Sequence, residues 1–268
     1  MSVLLIFVAA TLLMQQPETM SLLEAPLYAP PLPKETRSRL ETELASARAA
    51  YVKDPSSAEA AVNLARVEMA LGRAGDAIEL LTRALETHPD DVHLSLERGR
   101  ELIVFRKFDA AERDIRKALD AVPEASCALG LVLYLKGEFV HARDAYKKCA
   151  NPDVFAYLSD HRAGPSGMPR PVIPADASSA AQEIRLPGST LPSAPHAAAP
   201  LVTRYLDASD DIAAGRRDAA EGLLKKIVDK YREGWMDPVY IAAEADYARI
   251  LKAEHKKLQP KKKKRTAQ

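Results

Sequence analysis

Pro55, Pro89 and Pro123 follow one another at intervals of 34 residues, and each ends a segment whose apolar residues recur at helical spacing. A fixed period of this length is the signature of a stacked-repeat architecture. Each unit is a helical hairpin that cannot bury its own apolar face. Neighbours must therefore stack into a solenoid with a continuous core and an extended concave surface. The prolines punctuate the array, because proline presets a turn and excludes continuation of the helix before it.

The units can be compared residue by residue, since two helices that approach closely need small or apolar side chains at fixed places. The first carries Leu64-Ala65 in its first helix, Gly72 near the turn, then Ala77, Leu81 and Ala84 before Pro89. The second carries Gly99, Leu102, Phe108, Ala111, Ile115 and Ala118 before Pro123, but has Arg98 where an apolar residue is expected, which weakens its local register. The third, shortened by about one helical turn at its start, has Leu129-Gly130, Leu133, Gly137, Phe139, Ala142 and Tyr146, with Cys149 in the late small-residue place. Over residues 56 to 150 this pattern resembles the tetratricopeptide repeat family. The resemblance implies an all-α fold, a right-handed solenoid of helical hairpins that binds other proteins.

Less regular segments flank the array. Leu40, Leu44, Ala47 and Tyr51 predict a capping helix within residues 35–55, and the array with a short following helix from Val154 occupies 56–161. Residues 162–200 hold eight prolines and no sustained periodicity, so they are expected to form a disordered, partly extended linker. Periodicity returns over 201–258. Leu201, Tyr205, Ala208 and Ile212, a turn at Gly215, and Ala220, Leu224, Ile227 and Tyr231 read as a degenerate fourth unit. Asp237-Pro238 then opens a last helix through Tyr240, Ala243, Tyr247 and Ile250. The expected arrangement docks this block as the end of the same solenoid, with a separate small helical domain as the alternative.

An apolar fraction of 47% suits a helical globular chain, and a formal net charge of +1 gives no overall pull toward nucleic acid or anionic membrane. The exceptions lie at the ends. Within residues 1–16, Val3 to Met14 is a nearly unbroken apolar run, too short to span a bilayer as a helix, which needs roughly 20 residues. It matches the apolar region of a secretory signal, with Val8-Ala9-Ala10 the best cleavage candidate. A secreted or periplasmic location is therefore expected; an uncleaved membrane anchor, or a cytoplasmic or nuclear chain, are the alternatives. Residues 17–34 form a Pro-rich spacer. At the other end, within 259–268, Lys261, Lys262, Lys263, Lys264 and Arg265 make a compact basic tail. Without interleaved aromatic residues it lacks base-stacking chemistry, so nucleic acid is not the expected partner.

Cys127 and Cys149 fall in the two helices of the third unit, near the same end of that hairpin. They are either two small buried thiols or, in an exported chain, a disulfide. No metal-type spacing joins them to histidine, and no metal or cofactor is expected. The chain has no Walker loop, dinucleotide glycine fingerprint, paired-histidine zinc motif or nucleophile elbow, and its six histidines are scattered. An enzyme acting on a small molecule is not expected.

In the family resembled, the first helix of each unit lines the groove. That places Val62, Arg66 and Met69, then His93, Leu96, Arg100 and Ile103, then Cys127, Leu131 and Tyr134 at the partner-binding positions. Arg66 and Arg100 are equivalent, and their guanidiniums would offer planar donors to a carboxylate between apolar anchors. The competing reading is that the arginines cover Glu68 or Glu101 and the apolar residues pack helix on helix. The lysine and asparagine clamp of chaperone-binding members is replaced here by Val62 and Arg66, so that function does not carry over. The expected role is a non-catalytic adaptor for a protein or peptide segment; an anchored subunit of an envelope complex and a nucleic-acid-associated adaptor are the alternatives.

Overall fold

The computed structural model describes residues 16–150, 152–164, 167–171 and 198–258. The apolar terminal run, most of the Pro-rich linker and the basic tail lie outside the described residues. Three helical hairpins form the array: α2 (Ala58–Ala70) with α3 (Ala74–Thr87), α4 (Val92–Val104) with α5 (Phe108–Lys117), and α6 (Ala125–Lys136) with α7 (Phe139–Tyr146). Helix α1 (Lys34–Lys53) covers α2, burying Leu40 and Leu44, and α8 (Val154–Ala163) packs on α7 at the other end. The first helices contact one another in succession, α2 with α4, α4 with α6 and α6 with α8, so they line the inner side of the array.

The sequence signals act locally as expected. After Pro55 and Pro89 the chain reaches an N-cap within two residues: Ser57 accepts from Ala60 N at 3.1 Å, and Asp91 from His93 N and Leu94 N at 2.9 Å. Each such cap stabilises its helix by about 1 kcal/mol. Ala65, Gly99 and Gly130 occupy equivalent places where the two helices of a hairpin meet. A Cβ on Gly99 would lie 2.7 Å from the Ile115 side chain, and one on Gly130 2.5 Å from the Tyr146 ring, so the hairpins close only around a small residue. The departure at Arg98 has a compensating partner. Its guanidinium pairs bidentately with Asp114 of α5 at 2.7 and 2.9 Å, replacing an apolar contact inside the second hairpin by an ion pair.

The turn inside each hairpin needs one residue with positive φ. Gly72 (φ 79°) and Gly137 (φ 86°) supply it, whereas the second unit uses Arg106 at φ 59°. A non-glycine residue there costs about 1–2 kcal/mol, so its side chain must be held by something else. That anchor comes from the other end of the chain. Arg106, 3% exposed, donates from Nε to the fully buried Glu244 at 2.8 Å and from Nη2 to the Trp235 carbonyl at 2.8 Å. It also donates to the Val104 carbonyl and lies 5.4 Å from the Trp235 ring centre.

The C-terminal block consists of α9 (Ala198–Ala213), a turn at Gly215 (φ 73°), α10 (Arg217–Lys230), a 3-10 turn (Arg232–Gly234) and α11 (Pro238–Leu258). Helices α9 and α10 pair as a hairpin. The block docks on the array, and α11 stacks on the α9–α10 hairpin, chiefly on α10 with a smaller contact to α9. It packs against α6, running along the edge formed by the hairpin turns: Glu244 meets Arg106, Arg249 lies against Gly137 and donates to Leu135 O at 2.7 Å, and Asp246 pairs with Arg162 at the end of α8 at 2.9 Å. Buried carboxylates on α11 require these cations, which steers the helix to the turn edge.

The Pro-rich spacer expected over 17–34 is ordered against the same edge. β1 (Thr19–Met20) and β2 (Pro26–Leu27) form a short antiparallel hairpin. Leu27 is buried, Glu18 accepts from Gly75 N at 3.4 Å, Pro30 fills the space over Gly72, and the Trp235 indole donates to Tyr28 O at 2.6 Å. This strap and α11 together brace every turn from the first unit to α8.

Candidate interaction surface

Helix α6 lies at the centre of the molecule, and this decides what its side chains can do. Every residue from Ala125 to Leu135 is buried among α4, α5, α7, α8 and α11. Leu131 and Tyr134 are fully buried, and the Tyr134 hydroxyl bonds to that of Tyr205 on α9 at 2.8 Å. Tyr205 in turn donates to Asp246 at 2.8 Å. Arg162 and Arg249 both pair with Asp246 and hold its carboxyl below the usual range against the opposing effect of burial. Arg162 also lies 4.3 Å from the Phe139 ring centre. Of the third unit's positions that sequence assigned to a partner, Tyr134 therefore serves the protein's own C-terminal block, and Leu131 is buried.

In the first two units Val62, Met69, Leu96 and Ile103 are at most 9% exposed and belong to the core, so they pack helix on helix rather than forming a row of open anchors. The inner-face residues that reach solvent are polar. His93 and Asn63 are exposed, and Arg66 keeps about a third of its side chain exposed at 34%. Arg66 and Arg100 are brought together, as their equivalent places require, and both donate to Oε1 of Glu97, Arg100 at 2.9 Å. Their common partner is Glu97 rather than Glu68 or Glu101; Glu68 is taken by Arg48 and Arg73.

Glu101, one turn beyond Glu97, is buried, and its carboxyl is pushed well above the ordinary range. Desolvation is the main cause, and the negative charge of Glu97 adds to it against the pull of Arg100 and Arg66. Two guanidiniums thus converge on one carboxylate oxygen of Glu97, while burial disfavours a second charge at Glu101. On this stretch of the inner face two cations share one ion-pair partner, an imbalance that the near-neutral overall charge conceals.

Cys127 and Cys149 are joined as a disulfide, with Cα atoms 4.9 Å apart. They occupy the places held by Val62 and Ala84 in the first unit and by Leu96 and Ala118 in the second, all buried. The bridge therefore replaces an apolar contact common to the repeats. Among the described residues no group of His, Cys, Asp and Glu is arranged to hold a metal ion. His161 stacks on Tyr157 and faces Asp210 at 3.1 Å, while His88 Nε2 bonds to Ser56 O at 2.7 Å between successive repeat loops. The basic residues Lys261 to Arg265 fall outside the described residues.

Sequence reasoning identified Arg66 and Arg100 from their equivalence but missed Glu97 and the whole turn-edge brace. A signal for the brace was present in Arg106, a non-glycine residue at the turn place held by Gly72 and Gly137. Tetratricopeptide arrays in general mediate protein–protein interactions and are non-catalytic. No curated protein matches this chain. Residues 42–98 match one tetratricopeptide repeat model and residues 96–153 match a second, overlapping it by a few residues. With three stacked hairpins of the corresponding form over the same residues, residues 42–153 are an array of the tetratricopeptide repeat family.

Proposed function

We propose that this protein is a non-catalytic adaptor that holds an acidic segment of a partner protein along the inner face of its first two repeats. The supporting observation is the sharing of one counter-charge there: Arg66 and Arg100 both donate to Oε1 of Glu97, and burial disfavours the charged form of neighbouring Glu101. Partly exposed Arg66, with exposed His93 and Asn63, supplies contacts to a carboxylate. The third unit takes no part, since every residue of its inner helix from Ala125 to Leu135 is buried.

A photo-crosslinking residue placed at position 66 or 93 tests the reading. It should label one and the same partner from both positions, and Arg66→Glu should weaken capture about tenfold or more, the usual scale for a charge-assisted contact. Equal labelling from Lys117 on the outer helix α5, or unchanged capture by Arg66→Glu, would refute it. A second observation bears on location. The Cys127–Cys149 bridge fits an oxidising compartment outside the cytosol, in keeping with the apolar amino-terminal run. Thiol labelling of the protein taken directly from cells should find neither cysteine free; two free thiols would count against export.

A further inference from the structure

The second unit carries a pair of acids that the first does not. Glu97 and Glu101 stand one helical turn apart on α4, at the places held one repeat earlier by Asn63 and Val67 on α2. Hairpin packing therefore needs neither carboxyl. Glu97 is the shared partner of Arg66 and Arg100. Glu101 is 7% exposed and, among the described residues, makes no hydrogen bond or ion pair.

The charges that act on Glu101 are those of this same cluster. Desolvation and the charge of Glu97 raise its carboxyl well above the ordinary range, against the pull of Arg100 on its own helix and Arg66 on α2. The other elements around α4 add no claimant. Glu68 of α2 is held by Arg48 and Arg73, and Asp114 of α5 by Arg98. Glu112 of α5 is paired with Lys136 and Arg116, and the remaining charged side chains of α3 and α5 are exposed. Helix α6 has no charged residue from Ala125 to Leu135. An ionised Glu101 gives Arg66 and Arg100 a second counter-charge, and two guanidiniums beside two carboxylates have no excess left for an acidic segment.

Resting on the acidic-segment reading above, we propose that Glu101 is a proton-operated gate on that site: uncharged, it leaves the two arginines one counter-charge short and the site takes a partner's carboxylate; ionised, it supplies that charge from within and the partner is released. The proton is exchanged with solvent, to which the side chain retains a slight opening. Capture therefore weakens as pH rises through the titration of Glu101 and returns as pH falls.

Fluorescence anisotropy of a labelled octaglutamate peptide with the full chain, from about pH 6 to about pH 9, tests the gate. Glutamate in an open peptide, with an ordinary value of about 4.3, stays ionised throughout, so any change reports on the protein. Every protein compared carries His93→Gln, which removes the imidazole of the same face from the comparison. The affinity of the otherwise unaltered chain should fall about tenfold across the range, the scale of one charge added beside a charge-assisted contact. Adding Glu101→Gln, of the same shape but uncharged at every pH, should keep the affinity at its low-pH level. The carboxyl carbon NMR shift of Glu101 should move in step with the loss of affinity, a readout that needs no variant at this buried position. Identical pH profiles with and without Glu101→Gln, or a Glu101 already ionised at the acid end of the range, would overturn the gate; the acidic-segment reading would then stand if Arg66→Glu still weakens capture. Failure of octaglutamate to bind at any pH, or equal binding by Arg66→Glu, would overturn that reading and the gate with it.

Discussion

Replacing Glu244 by leucine, close to it in volume, isolates the contact that ties the C-terminal block to the array. Arg106 is 3% exposed and Glu244 fully buried, so Glu244→Leu leaves a guanidinium without its counter-charge in a site that excludes water. Breaking one side of such a pair costs roughly 3–5 kcal/mol. Arg106→Gly alone relieves the left-handed backbone, a gain of about 1–2 kcal/mol, but strands the Glu244 carboxylate at a cost of the same order as the reverse change. The double variant removes both charges and the backbone strain together. It still loses the bonds to the Trp235 and Val104 carbonyls and from Leu22 N, each worth about 1 kcal/mol. Its stability should therefore lie within about 2 kcal/mol of the parent, well above the sum of the single losses. Urea unfolding with an unchanged slope measures all three. If the double variant falls to the sum of the singles, or Glu244→Leu costs under about 1 kcal/mol, the pair does not anchor the brace.

Gly130→Ala places a Cβ 2.5 Å from the Tyr146 ring and should destabilise by about 1–3 kcal/mol, read as a lower midpoint in thermal or urea unfolding. Cys127→Val with Cys149→Ala installs the pair found in the first unit; the protein should stay folded and lose roughly 3 kcal/mol for releasing a loop with a sequence separation of 22, unless reduced parent is already no less stable. Burial pushes Asp153, the cap of α8, up to about 7, so the folded chain keeps a proton that the unfolded chain has lost. Stability should decline as pH rises from about 4 to about 7 and level off above. Asp153→Asn, a neutral residue that still caps, should flatten that part of the profile, and an unchanged slope would show that Asp153 does not titrate there. Asp237, raised to about 6 by burial, acts in the same direction and accounts for part of the slope that remains.

The sequence by itself determined the hairpins. Proline spacing, N-caps, turn glycines and the small residues at Ala65, Gly99 and Gly130 are local requirements of two closely packed helices, and each unit repeats them. Within that frame the equivalence of Arg66 and Arg100 was legible, because residues one period apart must become neighbours. Tertiary structure decided what those neighbours share. Glu97 looks like any other helical glutamate until α2 is laid against α4, and the replacement at Arg98 makes sense only once Asp114 is seen across the hairpin. The path of α11 was beyond the reach of periodicity, which predicts that a helix has an apolar side but not which surface covers it. Its course depends on pairs such as Arg106 with Glu244, separated by 138 residues, and Arg162 with Asp246. The same long-range pairing brings the strap and α11 to one edge, because a buried charge must meet its counter-charge wherever in the chain that partner lies.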